Sequence, residues 1–293
     1  MHFLRKYLII LLIIWPILIL SENNTEKDFP LAGIIGYILD SSCWRVPSLD
    51  DTWQWQLSVP INTDYNVSVY EIDLFDSSRE EIDRLHKKRI YVVCYFSAGS
   101  YEDWRDDKNL FDSSVIGKPY EGWEGEYWLD IRTKNVRDVM QSRLDRAVQK
   151  QCDAVEADNV HGYEEETGFP LTAHDQLTYN RFLANEAHSR SLGIALKNDG
   201  PQTVQLVDDF DFAVTEEVFQ YGDEQDYLIF IDKAKAVFNA EYASVYVNNK
   251  DKRVTMCKKS NSLGFRTLIL PLDLDDSFRY DCTVQNGAVD TRE

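Results

Sequence analysis

The chain alternates between two kinds of segment. Eight short runs of strand character begin at Trp53, Val67, Arg89, Cys152, Leu192, Phe210, Ser244 and Thr267, and helical or loop segments separate most of them. Alternating strands and helices imply a parallel sheet, because a parallel neighbour is reached only by a long crossover. Eight such units over about 250 residues fit a closed barrel. An open doubly wound sheet would carry a glycine-rich phosphate loop after its first strand, and no such motif occurs. The expectation is an α/β protein, a single-domain (β/α)8 TIM barrel over residues 52–285. A leader over 22–51 precedes it and a tail over 286–293 follows.

Such a barrel carries its chemistry at the C-terminal ends of its strands. The runs here finish at Gln56, Asp73, Tyr95 with Ser97, Glu156 with Asp158 and Asn159, Lys197 with Asn198, Glu216 with Glu217, Asn248 and Asp273. One polar strand end is an ordinary loop start or helix cap. Eight on one face point to a site. The densest stretch is residues 152–163, where Glu156 and Asp158 share a face by the period of two. Two like charges on one buried face are costly unless paired or put to use.

Among helices, residues 135–151 carry an apolar stripe of Val136, Val139, Met140, Leu144 and Ala147, and residues 172–191 one of Leu177, Phe182, Leu183 and Ala187. Ser77 or Ser78 can cap a helix over 77–88. Residues 226–238 read as helix, and 252–260 can be helical. Residues 99–134 form a long connection rich in Trp, Asp and Gly, as functional loops are.

The residue types narrow the chemistry. There is no GxSxG nucleophile elbow. There is no CxxC or Cys/His cluster, so no zinc site is expected. A hard-cation site from Asp73, Glu156 and Asp158 lacks any metal-binding spacing, and no cofactor is expected. Two carboxylates across a cleft are what glycoside hydrolysis needs. The fourth and sixth runs lie two steps apart around a barrel, so their acids can face each other. Trp53, Trp55, Tyr95, Tyr101, Trp104, Trp123 and Tyr221 offer stacking faces for sugar rings, though each one alone is explained by core packing.

The N-terminus has Arg5 and Lys6, then an almost purely apolar run over 7–20, then a polar turn at Ser21. That layout is a secretory signal peptide over residues 1–21. Uncleaved, it would be a membrane anchor, but it is short of the ~20 residues a spanning helix needs. Secretion is the expectation. Net charge is −19, and −21 once Arg5 and Lys6 leave with the leader. So acidic a chain disfavours nucleic acid and anionic lipid, and attracts cations. Asn23 and Asn66 head glycosylation sequons. Of five cysteines, Cys257 and Cys282 flank the last strand and are the expected disulfide; Cys94 and Cys152 read as small buried hydrophobes. Cys43 and Trp44 can pack on the body.

Seven ordered motifs resemble glycoside hydrolase family 114, the endo-α-1,4-polygalactosaminidase family. They are Trp53-Gln54-Trp55-Gln56-Leu57, Asp73-Leu74-Phe75-Asp76, Cys94 through Glu102, Trp128 through Arg132, Glu156 through Val160, Phe210 through Glu216, and Phe238 through Tyr242. The resemblance runs from about Thr52 to Cys282. It implies a (β/α)8 barrel hydrolysing internal α-1,4 bonds of a cationic galactosamine-containing polysaccharide. It also implies Asp158 as nucleophile and Glu216 as general acid/base. Trp55, Asp73, Tyr95, Glu156, Asn159, Lys197 and Tyr221 are the expected substrate-binding residues, and the protein is expected to be a monomer. The alternative is a catalytically weak carbohydrate-binding relative. His161, Thr215 and Val218 stand where the family usually has Asp, Asn and Cys, and a second family cysteine falls near Glu224. The family's disulfide between those two positions is therefore absent as a pair.

Overall fold

The structure, a computed structural model, describes residues 44–284. Cys43, the segment 1–21, the Asn23 sequon and the tail 286–293 lie outside them. No helix among the described residues is long and apolar enough to cross a membrane.

Eight parallel strands follow one another around a curled sheet in the order β1 (Trp53–Trp55), β2 (Val69–Asp73), β3 (Tyr91–Ser97), β7 (Ala154–Asp158), β8 (Gly193–Lys197), β9 (Phe212–Glu216), β10 (Val237–Glu241) and β11 (Arg266–Ile269). A short antiparallel strand, β12 (Tyr280–Asp281), extends the last of them. The seam between β1 and β11 is stitched by other means. Trp53 Nε1 donates to the Arg266 carbonyl at 2.8 Å, Arg279 donates to the Trp53 carbonyl at 2.9 Å, and Leu57 N–H donates to the Leu274 carbonyl at 3.1 Å. The result is a (β/α)8 barrel with reduced helices at several returns.

Period-two alternation sorts each strand's side chains into two cores. Tyr91 and Val93 of β3 join Trp53, Trp55, Ala154, Phe212, Val214, Phe238 and Ala240 in one apolar cluster, the barrel interior. Val92, Cys94 and Phe96 join the larger cluster between strands and helices. Along the interior face the residues change from apolar to polar toward the strand ends. β7 runs Ala154, Glu156, Asp158; β9 runs Phe212, Val214, Glu216; β8 runs Ala195, Lys197. The lower barrel is a packed plug and the upper barrel is a charged bowl.

Helices cover the outside, and their ends follow the sequence. Ser78 caps Arg79–Lys87 in a reciprocal box with Glu81, and Thr172 does the same for Ala173–Ser189 with Asp175. The stripe on Lys134–Lys150 is buried as expected, with Arg143 added to it. The buried face of Ala173–Ser189 is rotated from expectation. It presents Gln176, Tyr179, Asn180, Leu183, Ala184 and Ala187, while Leu177 and Phe182 flank the core. Polar residues sit on that face because they have partners: the Tyr179 hydroxyl donates to the Ala98 carbonyl at 2.7 Å, and Asn180 donates to the Val160 carbonyl at 3.1 Å.

Three expectations need correction. The seventh strand is Val237–Glu241, not the run at Ser244, which is a helix (Ser244–Asn248) with no buried residue. The Val-Tyr-Val of that run has strand propensity, but Tyr246 and Val247 pack only partly buried against the small cluster of Met256, Cys257, Ile269 and Cys282, and context overrides propensity. The expected helix over 226–238 is accordingly shorter, Leu228–Asp232. Cys94 and Cys152 are joined in a disulfide, as Cys257 and Cys282 are. β3 and β7 are neighbours in the sheet, with Cys94 opposite Val155, and this brings together two cysteines 58 residues apart in sequence.

The long connection after β3 is ordered. It forms a three-stranded antiparallel sheet of β4 (Ser100–Glu102), β5 (Ile116–Pro119) and β6 (Glu126–Leu129), which stands beside the mouth of the barrel. Arg143, 1 % exposed, fastens it by donating to the Ser97 carbonyl at 2.6 Å and to Asp107 at 2.8 Å.

Candidate active site

The interior polar residues converge on one ammonium group. Lys197, at the end of β8, lies 2.8 Å from Glu156, 3.3 Å from Asp158 and 3.3 Å from Glu216. Its Nζ sits 4.7 Å from the centre of the Trp55 ring. Burial alone would favour loss of its proton, but the three carboxylates outweigh burial and hold its pKa well above the ordinary lysine value. It is therefore a fixed cation at the floor of the bowl.

The two outer carboxylates are each held at both oxygens. Asp158 Oδ2 accepts from the Tyr95 hydroxyl at 3.0 Å, and Oδ1 accepts from Asn159 N–H at 2.7 Å. Asn159 adopts a left-handed conformation (φ 61°), which turns the chain back over the strand end. Its side chain donates to Ser97 at 3.0 Å and to Glu126 at 3.0 Å. Glu216 Oε1 accepts from the Tyr242 hydroxyl at 2.6 Å, and Oε2 accepts from Asn198 Nδ2 at 3.2 Å. Asn198 Oδ1 in turn accepts from Glu216 N–H at 3.0 Å.

Beneath them lies a second layer of acids. Glu71 and Glu156 are 1 % and 0 % exposed and hydrogen-bonded to each other. Two carboxylates cannot share a hydrogen bond without a proton. Burial, then the charge of Glu156, push Glu71 well above the usual carboxylate range, so Glu71 is the protonated donor. Burial also raises Glu156, and the Lys197 ammonium opposes that rise.

The bowl opens into a cleft of about 510 Å³ whose lining includes Trp55, Asp73, Tyr95, Asp158, Lys197 and Glu216. Trp104, Arg105, Tyr120, Trp123 and Glu126 of the antiparallel sheet and its loops form the opposite wall. Arg105 grips Asp73 with two nitrogens at 3.0 and 2.7 Å, and also Glu102 at 2.8 Å, which fixes the wall to β2. Burial pushes Glu126 up to about 7.

Most expected site residues meet here: Trp55, Asp73, Tyr95, Asp158, Asn159, Lys197 and Glu216 all line the cleft. Two residues expected to contact substrate do not line the cleft. Glu156 is wholly buried under Lys197 and reaches no surface, because the interior face descends by one residue pair below Asp158. Tyr221, 66 % exposed on the turn Val218–Tyr221, does not line the cleft. Sequence reasoning missed Glu71, Arg105 and Tyr242. An acid inside the apolar run Val69–Asp73 was the signal for Glu71; Tyr242 closes the Phe238–Tyr242 motif without a role read from it, and nothing local marked Arg105.

The departures from the family pattern are accommodated. His161 lies edge-on to Trp128 at 5.8 Å and lines the cleft. The Thr215 hydroxyl donates to Asn239 at 3.0 Å. Val218 is buried in the core, and Glu224 pairs with Lys259. Among the described residues no group of three or more His, Cys, Asp or Glu has a geometry that could hold a metal ion.

The sequence profile of glycoside hydrolase family GH114 matches residues 39–285. The chain belongs to that family. Among solved structures it is similar to Aspergillus fumigatus Ega3, crystallised with galactosamine, at 36 % identity and a TM-score of 0.75, over 79 % of this chain and 95 % of that one. The glycoside hydrolase domain of PelA from Pseudomonas aeruginosa shares the fold at 9 % identity and a TM-score of 0.60, over 82 % of this chain and 98 % of that one. No curated protein matches the sequence. The GH114 protein described here is a glycosidase, and its barrel is of the kind glycoside hydrolases use.

Proposed function

We propose that this protein is a secreted enzyme that cleaves internal α-1,4-galactosaminide bonds, with Asp158 as nucleophile and Glu216 as general acid/base. The observation that carries the reading is the placing of two surface-reaching carboxylates on either side of one buried ammonium. Asp158 attacks the anomeric carbon while Glu216 protonates the departing oxygen. Water then attacks the glycosyl ester, Glu216 takes its proton, and Asp158 leaves as carboxylate. The Lys197-bound oxygens of the two acids can be no farther apart than twice 3.3 Å. That limit, which applies to one oxygen of each acid, accommodates the ~5–5.5 Å of retaining enzymes and favours the retaining course. A net charge of −19 favours a cationic polymer, and a 36 % identical relative was crystallised with galactosamine.

The test is reducing-end release from de-N-acetylated galactosamine polymer. Asp158→Asn and Glu216→Gln should each lower the rate by at least about a thousandfold and leave polymer binding intact. Wild type that binds the polymer and releases nothing would instead identify a carbohydrate-binding relative. NMR of the first product should show the α anomer; initial β product would sink the retaining assignment.

A further inference from the structure

A second cavity, of about 340 Å³, adjoins the cleft and shares His161, Asn198 and Glu216 with it. Its remaining wall is Glu164, Asp199, Gly200, Pro201, Val218, Asp223, Asp226 and Tyr227, with no lysine or arginine. The acids come from three different strand-to-helix connections, those after β7, β8 and β9. Among the described residues Glu164, Asp223 and Asp226 are exposed and take part in no ion pair. Asp199 is 3 % exposed and held by Tyr163 at 3.2 Å and Asn180 at 2.9 Å; burial pushes it up to about 8.

Two further observations point to a ligand. Tyr227 is 4 % exposed, yet among the described residues its hydroxyl has no hydrogen-bond partner. Tyr227 lines the cavity together with Asp199, Asp226, Asp223 and Glu164, and these four carboxylates are the charges nearest its phenol. The hydroxyl oxygen is the tip by which this otherwise buried side chain reaches the cavity, so a ligand oxygen or amine there meets a donor and acceptor that no group of the described residues occupies. Gly200 makes the room: a Cβ there would stand 2.7 Å from Asp226 Oδ2. The acids lack the convergence a metal ion needs. Spread around a space of this size, they suit a larger organic cation with hydroxyl groups.

We propose that this second cavity is a subsite for an ammonium-bearing sugar unit on the leaving-group side of the scissile bond. The assignment rests on the proposed role of Glu216. A general acid stands beside the leaving oxygen, and Glu216 forms the wall between the two cavities. A chain crossing the cleft over Asp158 therefore passes Glu216 and delivers its next unit to Asp223, Asp226 and Tyr227. The amine of that unit meets carboxylates; an N-acetyl group there would leave them unpaired, so the subsite selects de-N-acetylated units.

The test is calorimetric binding of an α-1,4-galactosamine tetramer and of its fully N-acetylated counterpart. The protein is the Asp158→Asn variant with and without Asp223→Asn/Asp226→Asn. The double change should weaken the galactosamine tetramer about tenfold and the N-acetylated one by less than about twofold, as for two partly exposed charge contacts. Equal effects on both ligands, or none on either, overturn the subsite. Tyr227→Phe should weaken the same ligand with the charges untouched. Loss of tetramer binding by Asp158→Asn itself would sink the glycosidase reading as well, and so differs from failure of the subsite alone. Thermal stabilisation by calcium that the double change abolishes would make the cavity a metal site and overturn the proposal.

Discussion

Lys197 shows how one residue organises a site. Its ammonium is wholly buried, and three carboxylates approach it from β7 and β9 on either side. An excess of negative charge so deep in a barrel needs relief, and Glu71 supplies it by staying protonated and donating to Glu156. Glutamine has the same shape as that neutral acid and can make the same donation. Glu71→Gln should therefore be near neutral in urea denaturation, while Glu71→Leu should cost about 1–3 kcal/mol by orphaning the Glu156 oxygen. A Gln variant as damaged as the Leu variant would mean that Glu71 is ionised. At this scale Asp158 and Glu216 were legible as two among several polar strand ends, since strand ends are local properties, and the family resemblance singled them out. Tyr242 was not, although its hydroxyl lies 2.6 Å from Glu216, because it follows a strand that its own sequence disguised as a helix end.

The disguise is instructive at the level of elements. Val237–Glu241 carries Asn239 and Glu241 on its outer face, where an apolar stripe is expected. They are tolerated because each has partners: Asn239 bonds Thr215, Thr267 and Glu241, and Glu241 accepts from Phe219 N–H at 2.8 Å. Apart from the Asn239–Glu241 contact within the strand, those partners lie on other elements, so no window of sequence contains the whole reason. The Cys94–Cys152 bridge belongs to the same scale. It ties β3 to the start of β7 across the whole antiparallel insertion. Replacing both cysteines by alanine should lower stability by about 2–5 kcal/mol, the usual cost for a loop of this length. Equal denaturation midpoints for wild type under oxidising and reducing conditions would argue against the bridge.

Across the whole molecule, burial raises several acids together. Glu126 and Glu241 are both pushed up to about 7 from 4.5, and Glu71 and Glu156 shift in the same direction. A carboxyl whose folded pKa is raised binds more protons folded than unfolded. Its stabilising contribution is thus complete below about 4.5 and is lost as pH rises through about 7. Melting temperature should fall between about pH 5 and about pH 8, and Glu241→Gln should flatten the fall. The net charge of −19 produces repulsion of the same sign, and the Gln variant separates the two effects. An unchanged slope in Glu241→Gln would show that Glu241 does not titrate in this range.

The sequence by itself determined the alternation of strand and helix, the two-sided burial of each strand and the passage from apolar to charged along the barrel interior. These are encoded in neighbouring residues, and backbone periodicity turns them directly into faces. Tertiary structure alone decided what those faces meet. β3 lies beside β7 only because the antiparallel sheet between them leaves the barrel, and that adjacency makes the disulfide. Lys197 has three acidic partners only because closure of the barrel turns β7, β8 and β9 inward together. The anionic second cavity is assembled from three connections that no local pattern links. Contacts of that kind depend on how far the sheet curls and which loops it brings side by side, and no stretch of residues specifies that alone.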